Sequence, residues 1–139
     1  MPLSVAERQS FLAEPHVAAL AVAEVDRAPL NVPVWYAYEP GGDVRVMTER
    51  GSRKARLITT AGRFSLLVQR TEPTYRYVTV EGPVVAVEPA TEEELSAITA
   101  RYLPPERVAE YVARMLAHAS DLVTFRLRTE RWRSADPGT

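Results

Sequence analysis

The sequence predicts a mainly β fold, a small six-stranded antiparallel barrel with peripheral α-helices. Three observations carry that prediction. Six segments read as extended chain by alternation or by short apolar runs, the turns between most of them are tight, and the helical signals fall between strands instead of forming a run of their own. At 139 residues the chain makes one domain, assigned to residues 1–134, with residues 135–139 as a loose C-terminal tail.

The first element is a short helix. Ser4 and Glu7 form a capping box, Val5, Phe11 and Leu12 give one apolar face, and Pro15 stops the run. The first strand spans His16 to Val25, small and apolar through its middle, and Asp26 to Pro29 turns it into a second strand from Leu30 to Tyr38. In that strand Val32, Val34, Tyr36 and Tyr38 share one face and Asn31, Pro33, Trp35 and Ala37 the other. Pro33 cannot donate to a ladder, which makes this an edge or bulged strand. The turn Pro40-Gly41-Gly42-Asp43 leads to the third strand, Val44 to Thr48, and the first three strands read as a meander.

A helix opens at Ser52 and ends at Gly62. Arg63 to Gln69 is the fourth strand, and the turn at Glu72-Pro73 leads to the longest, Tyr75 to Val87, with a bend expected at Gly82-Pro83. Thr91 caps a helix with Glu92, Glu93 and Glu94 in its first turn, where acids favour the helix dipole. Pro104-Pro105 separates it from a second helix, Glu106 to about His118, with Val108, Tyr111, Val112, Met115 and Leu116 at helical spacing. The sixth strand, Leu122 to Trp132, alternates cleanly and puts Trp132 on its polar side.

Composition excludes several function classes. A net charge of −1 and a pI near 6.1 argue against nucleic-acid binding, which leaves a basic footprint. No cysteine is present, so there is no disulfide, thiolate metal site or cysteine nucleophile. The longest apolar run, Val17 to Ala23, is too short to span a bilayer, and the start carries no basic leader; the expected location is the cytoplasm, with no membrane partner. His16 and His118 are the only histidines and have no neighbouring carboxylate pattern, so no metal site is expected. There is no Gly-x-Ser-x-Gly elbow, Walker loop or Gly-x-Gly-x-x-Gly, and no catalytic residue can be named.

One stretch stands out, Val44 to Leu57. An alternating strand stops at Glu49, Gly51 breaks the chain, and Ser52 sits at a helix N-cap followed at once by Arg53 and Lys54. A helix N-terminus offers unpaired N–H groups and about half a positive charge, a ready dock for a phosphate. The 17 cationic side chains include a single lysine, Lys54, which adds a point charge beside the bidentate fork of Arg53. An anion site in a chain without catalytic equipment of its own suits a redox cofactor, which brings its own chemistry and asks only to be held and oriented.

At these residues the chain resembles the flavin-binding split barrels related to pyridoxamine 5'-phosphate oxidase, a group that includes enzymes using the deazaflavin coenzyme F420. Met47-Thr48 followed by Ser52-Arg53-Lys54 resembles its phosphate motif, Val32-Pro33-Val34-Trp35-Tyr36 its ring-side strand, and Arg76 to Gly82 its long dimer strand. The resemblance spans the first helix to Trp132. It implies a six-stranded antiparallel split β-barrel and a homodimer with cofactor sites between subunits. Ser52, Arg53 and Lys54 would lie on the phosphate with Thr48 and Met47 nearby, Pro33, Val34 and Trp35 along the ring, and Tyr77 and Trp132 would reach in from the other subunit. Nothing basic lies between Asn31 and Tyr38, and no Arg-x-His-Asp-Arg segment follows Trp132, so the chain departs from the vitamin B6 oxidases proper. The resemblance implies an oxidoreductase moving a hydride between F420 and a small planar or unsaturated acceptor. FMN is the alternative cofactor, and a non-catalytic flavin or F420 carrier the alternative role. Arg50, Arg53 and Arg56 are candidates for the acidic tail of F420.

Overall fold

The structure, a computed structural model, describes residues 1–119 and 121–137. In chain order its elements are α1 (Val5–Ala13), β1 (Ala18–Glu24), β2 (Arg27–Val34), β3 (Val44–Glu49), α2 (Arg53–Ala61), β4 (Arg63–Arg70), β5 (Arg76–Pro89), α3 (Glu92–Tyr102), α4 (Pro105–His118), β6 (Leu122–Leu127) and β7 (Arg131–Ala135). All strand pairs are antiparallel, in the order β2-β1-β4-β5-β6-β3, with β7 also on β5. The mainly β split barrel holds, and its described strands number seven where the sequence reading expected six.

The extra strand comes from the segment expected to run unbroken from Leu122 to Trp132. It stops at Leu127 and resumes at Arg131, because the chain must change partners: Leu127 pairs with Val84 and Val44, whereas Arg131 pairs with Glu81 on the other half of β5. Gly82 makes that change of sheet possible. A Cβ at Gly82 would lie 1.8 Å from the carbonyl oxygen of Arg128, so only glycine lets the two backbones cross there. Before this corner β5 pairs with β4, beyond it with β6, and a register shift between Val84 and Ala86 adds curl.

The expected meander of the first three strands is replaced by a longer path. β3 pairs along its whole length with β6, and only the isolated bridge Ala37–Arg45 links it to the chain leaving β2. The cause is local: β2 ends at Val34, and the next residues cross to the other half of the sheet before the Gly41-Gly42 turn. Pro33 sits on the edge strand, as its missing donor requires.

The core lies inside the curled sheet and is closed at one end by α1, through fully buried Phe11 and Leu12. Tyr36 is fully buried as well, and its hydroxyl donates to the carbonyl of Leu12 at 2.6 Å, with that of Glu14 also in reach at 3.0 Å. Burial pushes this phenol far above its ordinary range. Of the tail expected at 135–139, residues 138–139 lie outside the described residues, whereas Ala135 pairs with Tyr77, and Asp136 is buried against Arg76 and Arg70, 2.8 and 3.5 Å away.

Candidate functional site: a cavity at the N-terminus of α2

The site begins where β3 hands over to α2. Ser52 caps the helix, its Oγ accepting from the N–H of Ala55 at 3.1 Å, while Gly62 in the left-handed conformation ends it. The N–H groups of Arg53 and Lys54, at the first two helical positions, precede the first helical bond, which runs from Arg56 to the Ser52 carbonyl. No acid occupies the first turn to compete for them. Thr48, the next-to-last residue of β3, lies with its Oγ1 3.3 Å from the Ser52 Oγ. Two hydroxyls, two open N–H groups and the helix dipole therefore converge on one spot.

That spot opens into a cavity of about 640 Å³, in the size range of cofactor sites. Pro33, Val34 and Trp35 line it from the end of β2, Met47 and Thr48 from β3, and Ser52 and Lys54 from the start of α2. Seven of the ten residues singled out by sequence thus line one cavity. Lys54 is half-buried and, among the described residues, makes no hydrogen bond or ion pair. Burial holds its amine below the ordinary value of 10.5. A half-desolvated cation that no carboxylate pairs directly is poorly solvated until an anion arrives.

The other three lie elsewhere. Arg53 turns outward to pair with Glu24. Tyr77 sits on β5 beside Tyr75, and Trp132 on β7 packs edge-on against Tyr38 with the Arg8 guanidinium 4.8 Å above its ring. Neither aromatic lines the cavity of its own chain. Arg50 and Arg56 are also engaged, with Asp121 at 3.0 Å and with the Gly51 carbonyl.

The roof went unread in the sequence. Leu95 and Ile98 from α3, and Tyr111, Met115 and His118 from α4, face the same space. The apolar spacing of α4 reads as a core stripe, yet Val112 is its one buried residue among those described, while Tyr111 and Met115 from the stripe cover the cavity. Behind the wall, Trp35 stacks on Tyr102, whose hydroxyl accepts from Tyr36 N–H at 3.2 Å and lies 2.8 Å from the carbonyl of His16. Burial raises the Tyr102 phenol, keeping it a neutral donor. Among the described residues no three His, Cys, Asp or Glu side chains gather as a metal site.

The family model described as pyridoxamine 5'-phosphate oxidase matches residues 4–134. The chain belongs to this family. Within the pyridoxamine 5'-phosphate oxidase-like fold, a conserved hypothetical protein of Mycobacterium tuberculosis, Rv2991, is 26% identical with a TM-score of 0.74, over 96% of this chain and 85% of that one. An F420 reductase is similar at 24% identity and TM-score 0.70, over 89% of this chain and 94% of the other. An FAD-binding protein of Mesorhizobium loti shares the fold at 19% identity and TM-score 0.61, over 96% and 93%. No curated protein sequence matches this family member. Of the described helices, none is long and apolar enough to cross a membrane.

Proposed function

We propose that this chain binds the deazaflavin coenzyme F420 in the cavity at α2 and serves as an oxidoreductase toward a small planar or unsaturated acceptor. The observation that carries the reading is Lys54, the one lysine of the chain, held half-buried and unpaired beside the Ser52 and Thr48 hydroxyls. These groups suit a phosphate, and the apolar wall of Trp35, Val34 and Met47 suits the ring system joined to it. When bound, such a cofactor supplies hydride transfer chemistry. The chain's share is to fix the phosphate through Ser52, Thr48 and Lys54, to hold the ring against Pro33, Val34 and Trp35, and to exclude water beneath Leu95, Ile98 and Met115.

F420 is preferred over FMN because the Pro33-Val34-Trp35-Tyr36 strand and the Arg76 to Gly82 strand resemble those of the F420-using branch of the family; FMN is the alternative the same phosphate site would accept. The reading includes a homodimer. Tyr77 and Trp132 do not line the cavity of their own chain, which supports their reaching a cofactor held by a second copy. The missing basic residues of the ring-side strand separate this reading from vitamin B6 oxidation.

Fluorescence titration of the purified protein with F420 and with FMN tests the proposal, together with its mass by light scattering. Binding of F420 at micromolar concentration to a dimer is expected, followed by oxidation of reduced F420 when quinones or enones are added. Binding of neither cofactor overturns the reading, and F420 binding without turnover of any acceptor leaves a carrier.

A further inference from the structure

We propose that His118 is a second anion-contacting residue of the cavity, and that its protonation governs how tightly a phosphate is held there. The proposal rests on the cofactor reading above. Its ground is the charge inventory of the cavity wall. The residues lining the space carry one cation, Lys54, one carboxylate, Glu49, and the His118 imidazole. With a neutral imidazole the formal charges of the wall sum to zero, although exposed Glu49 forms no ion pair with half-buried Lys54. With an imidazolium the balance is one positive charge, shared between half-buried Lys54 and the exposed rim of the cavity.

Topology puts His118 at the phosphate end. α4 ends at His118, and the chain then returns along β3: the Asp121 carbonyl accepts from Arg50 N–H at 2.8 Å, and Leu122 pairs with Glu49. Glu49 is the last residue of β3, three positions before the Ser52 cap. Tyr111, Met115 and His118 follow each other at steps of four and three residues, so the face of α4 that covers the ring end brings His118 over the anion end.

The imidazole is exposed and, among the described residues, has no hydrogen bond or ion pair. The charged groups that share the cavity wall with it are Glu49 from β3 and Lys54 from α2. On its own helix Arg114 lies over the Tyr111 ring, in the loop that follows Asp121 is paired with Arg50, and α3 contributes only Leu95 and Ile98 to the cavity. His118 is also the one basic residue in the last turn of α4, where a cation complements the helix dipole. That structural role would change stability and leave affinity alone, which makes the two separable.

The test compares wild type, His118→Gln and Glu49→Gln for F420 and FMN affinity at pH 5.5 and 8.5, with melting temperatures. Nitrogen-15 spectra of labelled histidine are recorded in parallel. Comparison between variants at one pH cancels the phosphate's own ionisation. At pH 5.5 His118→Gln is expected to bind about fivefold more weakly than wild type, and at pH 8.5 equally well. Glu49→Gln is expected to bind more tightly at both. His118 ring signals should move on ligand addition while those of His16, bonded to the Phe11 carbonyl at 2.9 Å, stay fixed. Equal affinity of wild type and His118→Gln at pH 5.5, or a lowered melting temperature alone, overturns the proposal. Should neither cofactor bind wild type, the cofactor reading fails and inorganic phosphate decides. A phosphate-induced movement of the His118 signal that Lys54→Met abolishes sustains the anion site, and no movement overturns it.

Discussion

Trp35 lies flat against Tyr102, with ring centroids 4.9 Å apart and planes 8° from parallel. The pair joins the end of the edge strand to α3, and the Tyr102 hydroxyl fastens the joint by accepting from Tyr36 N–H. Tyr102→Leu removes both stack and hydrogen bond and is expected to cost about 2 kcal/mol, of which the aromatic pairing supplies about 0.5–1.5. Tyr102→Phe keeps the stack and is expected to cost about 1 kcal/mol, because Tyr36 N–H loses its partner. Urea melts followed by tryptophan fluorescence measure both. Equal losses in the two variants would mean that the stack contributes nothing.

Lys54 has the opposite character: it lowers the stability of the unliganded fold in order to bind. Burial depresses its folded pKa below 10.5. Between the folded and unfolded values the unfolded chain carries more protons, so stability rises with pH across that window, and below the folded value the desolvation penalty is fully present. Lys54→Met should therefore be as stable as wild type or more so near neutral pH, and should lack the alkaline rise. Its affinity for a phosphate-bearing cofactor should fall by about 1.5–3 kcal/mol, roughly 10- to 150-fold. Wild-type affinity should itself decline as pH climbs through the folded value, since the cation that attracts the phosphate is lost. Paired melts and fluorescence titrations from pH 7 to 10.5 check both signs.

How much of this was legible in the sequence depended on how local the signal was. The Ser52 cap, the Gly62 stop and the Thr91 cap are encoded within four residues, and all three stand where the sequence puts them. Pro33 announced an edge strand through its own missing donor. The cavity wall from Pro33 to Lys54 was legible because it consists of two contiguous segments. The roof was not: the exposed part of the α4 stripe and the core-facing part have the same spacing, and only the packed fold separates Val112 from Tyr111 and Met115. Strand order was hidden for a related reason. Nothing near Val44 states that its partner is Leu127, 83 positions away.

Asp136 shows the same limit at the chain's end. Residues 135–139 read as a loose tail from their composition, yet Asp136 is 1% exposed and its carboxylate meets Arg76 Nε at 2.8 Å. Its N–H also donates to the Met1 carbonyl, and the Ser134 Oγ accepts from Leu3 N–H, so the two termini are stitched together. Asp136→Asn keeps the shape and removes the charge facing Arg70 and Arg76. We expect a loss of about 2–3 kcal/mol in a chemical melt, the scale of a charge-assisted bond to a partly buried guanidinium. A loss under about 0.5 kcal/mol, ordinary for an exposed surface site, would return the tail to its loose reading.

Gly82 is where the two halves of the sheet become one barrel. A side chain there meets backbone rather than a movable side-chain end: the Arg128 carbonyl oxygen at 1.8 Å, its carbon at 3.0 Å and the Glu130 nitrogen at 3.3 Å. Because Glu130 N–H donates to the Glu81 carbonyl and Arg128 N–H to that of Pro83, relief of the clash must pull β5 away from the segment linking β6 to β7. Gly82→Ala is therefore expected to destabilise by about 3 kcal/mol or more, above the range in which overpacking is absorbed by side-chain shifts. Ala86→Gly on the same strand, past the corner and half-buried, serves as the control for backbone entropy and should cost about 1 kcal/mol. Comparable losses in the two variants would mean that the strands part at Gly82 without difficulty. A loss confined to Gly82→Ala, with backbone amide exchange rising first at Gly82, Arg128 and Glu130, would identify the corner as the joint that closes the barrel.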